Sequence, residues 1–213
     1  MSRRRSGYER KPRDFYSTPA WVTEELMKNV ALPPVVLEPA CGDGAISRVL
    51  TAAGVHRVVC TDIEPGPSVD AITSDFLTVG YGITDDDREI GGIVTNPPFG
   101  LADDFVELSI QRMRRGAGMV AMLLPADWDH AAKRWHLFGG CPQFARKVIL
   151  TKRIRWMEGT ADDKGKQPMN NHAWYIWDWR HHGPAACVYM RPQKPDQRAR
   201  GRAKSSEAMK LAA

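Results

Sequence analysis

"VVLEPACGDGAISRVLTAAG", residues 35–54, decides the fold class. Residues 35–40 form an apolar run of the length and β-branched content of a buried strand. Residues 44–54 then carry apolar side chains at helical spacing until Gly54 ends the pattern. Between the two, Gly42 and Gly44 permit a sharp turn and a close approach of the backbone to a ligand. A strand, a glycine turn and a helix in that order predict parallel strands joined by crossover helices.

The alternation continues outward. Strands are expected at "RVVCTDI" (57–63), within "DAITSDFL" (70–77), at "IGGIVTN" (90–96) and at "MVAMLLP" (119–125). The last is wholly apolar, as a strand covered on both faces should be. "ADDFVELSIQRMRRG" (102–116) places Phe105, Leu108, Ile110 and Met113 near helical spacing, with Gly116 or Gly118 as the stop. Two later strands are expected at "RKVILTK" (146–152) and "HAWYIWDW" (172–179). The polar stretch 158–171 between them reads as a long mobile loop. The expected class is α/β, a doubly wound and mostly parallel sheet in one domain over 14–190. A basic arm, 1–13, precedes it, and a basic, disordered tail, 191–213, follows.

Apolar residues make up 43% of the chain, the share of an ordinary globular protein. No apolar run has the roughly 20 residues of a membrane helix, and the basic start is not followed by a signal-type segment. Cys41, Cys60, Cys141 and Cys187 are far apart, without a CxxC pair, which argues against zinc and against a disulfide framework. A cytoplasmic protein is expected. Residues 1–13 hold six Lys/Arg against one acid and residues 181–213 seven against two, whereas the middle of the chain is net acidic. Basic arms on an acidic body suit a protein that grips a polyanion by its ends, although charged tails also serve solubility.

Four acids fall at predicted strand ends: Glu38, Asp43, Asp62 and Asp75. Single aspartates there commonly cap turns. Four on one sheet edge indicate a ligand bearing a cation, or hydroxyls and an amine, and disfavour a phosphate. Asp62 stands where a carboxylate accepts bonds from ribose hydroxyls. The turn is neither GxGxxG nor a phosphate loop. On the same edge, "TNPPFG" (95–100) stops a strand with two prolines and leaves Asn96 at its tip.

"EPACGDG" (38–44) followed by "NPPF" (96–99) resembles the class I S-adenosylmethionine-dependent methyltransferases that modify exocyclic or amide nitrogens, with a Rossmann-like, seven-stranded sheet. The nearest group by motif is the DNA adenine amino-methyltransferases, and small phage and prophage enzymes look similar. "DFYSTPAWVTEELM" (14–27) resembles that group's amino-terminal motif, and the motif order matches its gamma arrangement. The resemblance covers about residues 14–180. It implies S-adenosylmethionine as cofactor and no metal. Asn96 and the Pro97 carbonyl would each accept one hydrogen of the target amine, Pro98 would stiffen the turn, and Phe99 would stack on a base extruded from the duplex. Glu38, Ala40, Gly42 and Gly44 would wrap the methionine part, with Thr18 near its carboxylate and Pro19 opening the helix behind it. Asp62 would take the ribose and Ile63 a face of the adenine; Asp75 and Phe76 would meet the adenine edge.

One departure concerns recognition. Only about 115 residues follow NPPF, so the loops 126–136 and 158–171 and the arms must replace a dedicated target-recognition region. In "HAWYIWDW" the alternation sets Trp174 and Ile176 on one face and Tyr175 and Trp177 on the other. Trp177 reads as core, while Trp174 is a candidate wall for a flipped base. His181–His182 is not a metal pair, since adjacent strand residues point apart. Three further readings compete with DNA adenine: an RNA adenine or guanine amino group, a protein glutamine amide, and an inactive binding module. The basic arms favour a nucleic acid.

Overall fold

The computed structural model describes residues 16–79, 89–156 and 170–192. The basic arm, most of the 158–171 loop and the tail beyond residue 192 lie outside the described residues. Among the described residues eight strands form one sheet: β1 (Val35–Glu38), β2 (Arg57–Asp62), β3 (Ile72–Thr73), β4 (Gly92–Thr95), β5 (Met119–Pro125), β6 (Phe144–Ile149), β7 (His172–Asp178) and β8 (Ala186–Tyr189). Their spatial order is β3-β2-β1-β4-β5-β7-β6-β8. Only β7 runs against the rest, pairing antiparallel with β5 and β6.

β5 shows why the sheet needs cover on both sides. Val120, Met122 and Leu124 point into one apolar layer, and Met119, Ala121 and Leu123 into the other. The first layer is closed by helix α3 (Ala102–Met113) and by the chain between β5 and β6. The second is closed by α1 (Ala20–Asn29) and α2 (Ala45–Ala52). Such two-sided winding produces the near-continuous apolar strands read from the sequence. In α3 the buried residues include Phe105, Val106, Ser109 and Met113, while Leu108 and Ile110 are only partly covered.

Two elements differ from the sequence reading, the strand count and Trp174. The sheet has eight strands rather than seven: "ACVY" adds a parallel edge strand beside β6, too short and too exposed to carry a burial pattern. Trp174 does not line a pocket. It is fully buried in the α1–α2 layer, where its indole N–H donates to the Val22 carbonyl at 2.8 Å. Residues 126–136 connect β5 to β6 through short 3-10 turns that are anchored at one side and exposed at Trp135. Trp128 is buried within it and Leu137 just after it, and the Trp177 indole N–H donates to the Leu137 carbonyl at 2.6 Å. Arg134 binds Asp103 at 2.6 Å, and Lys147 binds Asp129 at the same distance. His181 and His182 lie in the connection after β7 rather than in a strand.

Among the described residues no helix is long and apolar enough to cross a membrane. Nor does any group of three or more His, Cys, Asp or Glu residues among them have the arrangement of a metal site.

Candidate active site

Strands β1, β2 and β3 progress in one direction across the sheet and β4 and β5 in the other, so the order reverses between β1 and β4. Open α/β sheets bind ligands outside the carboxyl ends of their strands at such a reversal. Here a cavity of about 890 Å3 opens at that point. Glu38, Ala40, Gly42, Asp62, Ile63, Asp75 and Phe76 line it, and Thr18, Asn96 and Pro98 join from α1's entry and the end of β4. Pro19, Gly44, Pro97 and Phe99 stand beside the lining residues in sequence rather than in the wall.

The glycine turn has the geometry its sequence requires. Gly42 and Gly44 have φ of 52° and 75°, in the left-handed region where side chains are strained. A Cβ at Gly44 would press within 3.2–3.3 Å of Ser47, Val69 and Arg48. The turn is braced from outside, where the Gly66 N–H donates to the Gly42 carbonyl at 2.9 Å.

The four acids prove to be of two kinds. Asp62 accepts the N–H of Gly42 at 2.8 Å and of Glu64 at 2.9 Å; it pins the turn to β2 and keeps a free lone pair on each oxygen. Asp43 accepts the Ala45 N–H at 3.1 Å, and Asp75 the Leu77 N–H at 2.9 Å, both as local turn caps. Glu38 differs. It is buried, its Oε2 has no hydrogen-bond partner, and burial pushes its pKa well above the usual carboxylate range despite opposing bonds from Ser47. An unpaired buried carboxyl beside a cavity calls for a ligand with a hydrogen-bond donor or a positive charge. Ile63 is 51% exposed on the same wall, a large apolar surface open to a flat ring. Phe76 is core: its ring is tilted against Phe105 at 5.0 Å and lies 4.2 Å from the Arg112 guanidinium, and it is almost fully buried beneath the cavity.

Asn96 is held from one side. Its Nδ2 donates to the Thr18 hydroxyl at 3.2 Å, which fixes the amide, and its buried Oδ1 has no partner. The Pro98 carbonyl accepts the Leu101 N–H at 3.0 Å, closing the turn that carries Phe99. Thus Thr18, from a motif 78 residues earlier, positions the amide at the strand tip.

Three aromatic residues surround Phe99 that sequence reasoning did not assign to the site. Tyr16 and His172 lie 6.2 Å from its ring, and Trp156 lies 6.3 Å away, edge-on. Trp156 and His172 also meet each other, at 5.2 Å. His172 is buried, so its pKa falls to about 4 and it stays neutral; its Nδ1 has no partner. The available signal was positional. Trp156 lies seven residues past the end of β6, and His172 opens β7, which runs antiparallel and so begins at the carboxyl edge.

No protein-family model and no curated protein matches the sequence. Solved structures do match. A proposed RNA methyltransferase from Pyrococcus horikoshii is similar over 78% of this chain and 87% of its own, with a TM-score of 0.51 and 14% identity. The 23S rRNA methyltransferase ErmE is similar over 81% of this chain and 72% of its own, with 0.50 and 18%. A proposed O-methyltransferase from Agrobacterium tumefaciens is similar over 84% of this chain and 90% of its own, with 0.52 and 12%. The chain has the class I methyltransferase fold. That fold puts the glycine turn and Asn96 on the two strands flanking the sheet reversal, β1 and β4.

Proposed function

We propose that the protein transfers a methyl group from S-adenosylmethionine to the exocyclic 6-amino group of adenine in DNA. The observation that carries this reading is the state of Asn96: one end fixed by Thr18, the other a buried acceptor without a partner. An aryl amine is a poor nucleophile because its lone pair is delocalised into the ring. Asn96 Oδ1 and the Pro97 carbonyl, each accepting one amine hydrogen, draw the nitrogen toward tetrahedral geometry and free that lone pair. Two adjacent prolines hold both acceptors in place beforehand, so little reorganisation accompanies reaction. Phe99 stacks on the base, with Tyr16, Trp156 and His172 as the surrounding wall.

The cavity suits the cofactor on three observations of its own. Its volume of about 890 Å3 falls within the range of small-ligand sites. Glu38 offers an unpaired buried oxygen near the glycine turn, which suits the amine of the methionine part. Asp62 retains lone pairs for ribose hydroxyls, and Ile63 exposes an apolar face for adenine. Gly42 keeps the wall free of a side chain where the methionine part would pass and Gly44 lets the turn behind it close, with Ala40 beside them and Thr18 near its carboxylate. Asp75 and Phe76 would meet the adenine edge. When bound, the cofactor supplies a sulfonium-activated methyl group, so no metal is required of the protein.

RNA is the second reading. It is favoured by two structural neighbours, ErmE and the Pyrococcus protein, whose names designate RNA methyltransferases. Unmethylated DNA and total RNA, offered together with labelled S-adenosylmethionine and followed by nucleoside mass spectrometry, decide between them. Label in 6-methyldeoxyadenosine supports the proposal. Label confined to an RNA nucleoside moves the substrate, and no label in either refutes nucleic-acid methylation.

A further inference from the structure

The carboxyl edge of the sheet is divided by charge. Around the cavity, among the described residues, the lining includes Glu38, Asp43, Asp62, Glu64 and Asp75 and no Lys or Arg. Across the Asn96–Phe99 turn, where β6 and β8 end, the sign reverses. Residues 150–156, "LTKRIRW", and 189–192, "YMRP", contain four Lys/Arg and no acid. We propose that this β6–β8 end is the docking track for the phosphodiester backbone of DNA that flanks the target base. The proposal rests on the methyl-transfer reading only in taking DNA as the acceptor.

The track is built rather than loose. Ile154 is buried in the α1–α2 layer, so the segment is anchored at its centre. Thr151 Oγ1 donates to the Met190 carbonyl at 3.1 Å, which ties the ends of β6 and β8 together and brings Arg191 to the same surface. Arg153 is oriented by Asn171, with Nε donating to Oδ1 at 3.0 Å. The Lys152 ammonium lies 5.1 Å from the Trp21 ring centroid, so an aromatic surface is interleaved with the cations. Lys152, Arg153 and Arg191 are exposed and Arg155 is half-buried. Guanidinium forks and ammonium groups over indoles are the chemistry that holds a single strand.

Position joins the track to the chemistry. It ends at Trp156, which meets the Phe99 ring at 6.3 Å. From Lys152 to Trp156 the backbone reaches at most about 13 Å, at roughly 3.3 Å per residue. With one phosphate per roughly 3.4 Å of strand axis, that is room for about three phosphates beside the extruded nucleotide. The two halves of the edge then have complementary tasks: the acidic half accepts a cationic cofactor and repels phosphates, and the basic half attracts them.

The test is fluorescence anisotropy of a labelled, unmethylated adenine-containing duplex across a salt titration. The variant combines Lys152→Gln, Arg153→Gln and Arg155→Gln; the control combines Arg114→Gln and Arg115→Gln beyond α3, at the opposite edge. Each lost phosphate contact lowers the salt slope by about 0.7 to 0.9, so the triple variant should lose about 2 to 3 and the control nothing. Calorimetry with S-adenosylmethionine should give the same affinity for the triple variant and the wild type. An unchanged slope, or an equal fall in the control, overturns the proposal. Tighter binding of RNA of the same sequence than of DNA overturns the assignment to DNA. A lower slope with no methylated adenine in any DNA leaves the track standing and refutes the methyl-transfer reading. Methylated adenine with an unchanged slope does the reverse.

Discussion

Asn96→Ala separates a residue that serves the fold from one that serves a ligand. The substitution removes the bond from Nδ2 to the Thr18 hydroxyl, at 3.2 Å, and leaves that buried hydroxyl without its donor. Losing a partner of this kind costs about 1 to 3 kcal/mol. It also removes Oδ1, a buried acceptor that has no partner. Deleting such a group returns a similar amount, about 1 to 3 kcal/mol. The two nearly cancel, so global stability by denaturant titration should change by less than about 1 kcal/mol. Transfer should behave differently. Removing one preorganised polar group from a developing charge costs about 10²- to 10³-fold. Single-turnover transfer of a labelled methyl group to DNA should fall by that factor, and cofactor affinity should hold within about threefold, a shift under about 1 kcal/mol. A variant destabilised by more than about 2 kcal/mol, with transfer and cofactor affinity lost in equal measure, would make Asn96 a structural residue and refute the reasoning.

Three other substitutions test the surroundings of the site. Glu38 has its pKa raised by burial, so its contribution to stability is largest at low pH and fades as pH rises from the usual carboxylate range through the raised value. Glu38→Gln should therefore stabilise the unliganded protein near neutral pH while weakening S-adenosylmethionine binding; thermal melts with and without cofactor read both effects. His172 is displaced the other way, from 6.5 to about 4, so stability present above 6.5 is lost as pH falls toward 4. At about pH 5 the loss is about 2 kcal/mol, and His172→Gln should abolish that part of the pH dependence of the denaturant midpoint. Trp174→Phe removes the indole bond to the Val22 carbonyl, at 2.8 Å, and leaves a small void between the sheet and α1. A stability loss of about 1 to 3 kcal/mol is expected, with transfer per folded molecule unchanged.

The sheet was legible because its evidence is local. The continuous apolar run of β5, the helical spacing of α2 and the glycine turn each follow from a few neighbouring residues, and the strand order then fixes which ends meet. The site was legible where it coincided with strand ends: Glu38, Asp62 and Asn96 could be placed on one edge before any coordinate. Trp174 was misread because alternation assigns a residue to a face without saying what covers that face. α1 covers it, through Val22 and Leu26. His172 went unassigned because only the reversal of β7 brings that strand's first residue to the carboxyl edge, and Tyr16 and Trp156 because they lie in the segments before α1 and after β6, outside any periodic pattern. β8 escaped because an exposed edge strand has no buried face to write a pattern.

The distribution of unpaired buried atoms argues for a ligand site independently of motif. Buried hydroxyls without a partner, such as those of Thr23 and Ser109, are scattered through the helices, but Glu38 Oε2, Asn96 Oδ1 and His172 Nδ1 come from the ends of β1 and β4 and the start of β7. Nothing in the chain's local chemistry requires three separate segments to leave acceptors bare at the same edge. Each costs the folded state about 1 to 3 kcal/mol, against a total stability of about 5 to 15 kcal/mol for a typical domain. Apolar residues of similar size at these positions would serve the core better. Under the proposed methyl transfer, groups supplied from outside would partner them. The two kinds of acceptor, a carboxyl beside the glycine turn and an amide beside Phe99, divide those groups into a cationic donor on one side and a neutral N–H donor on the other. That is the pairing which transfer from a sulfonium to an amine demands.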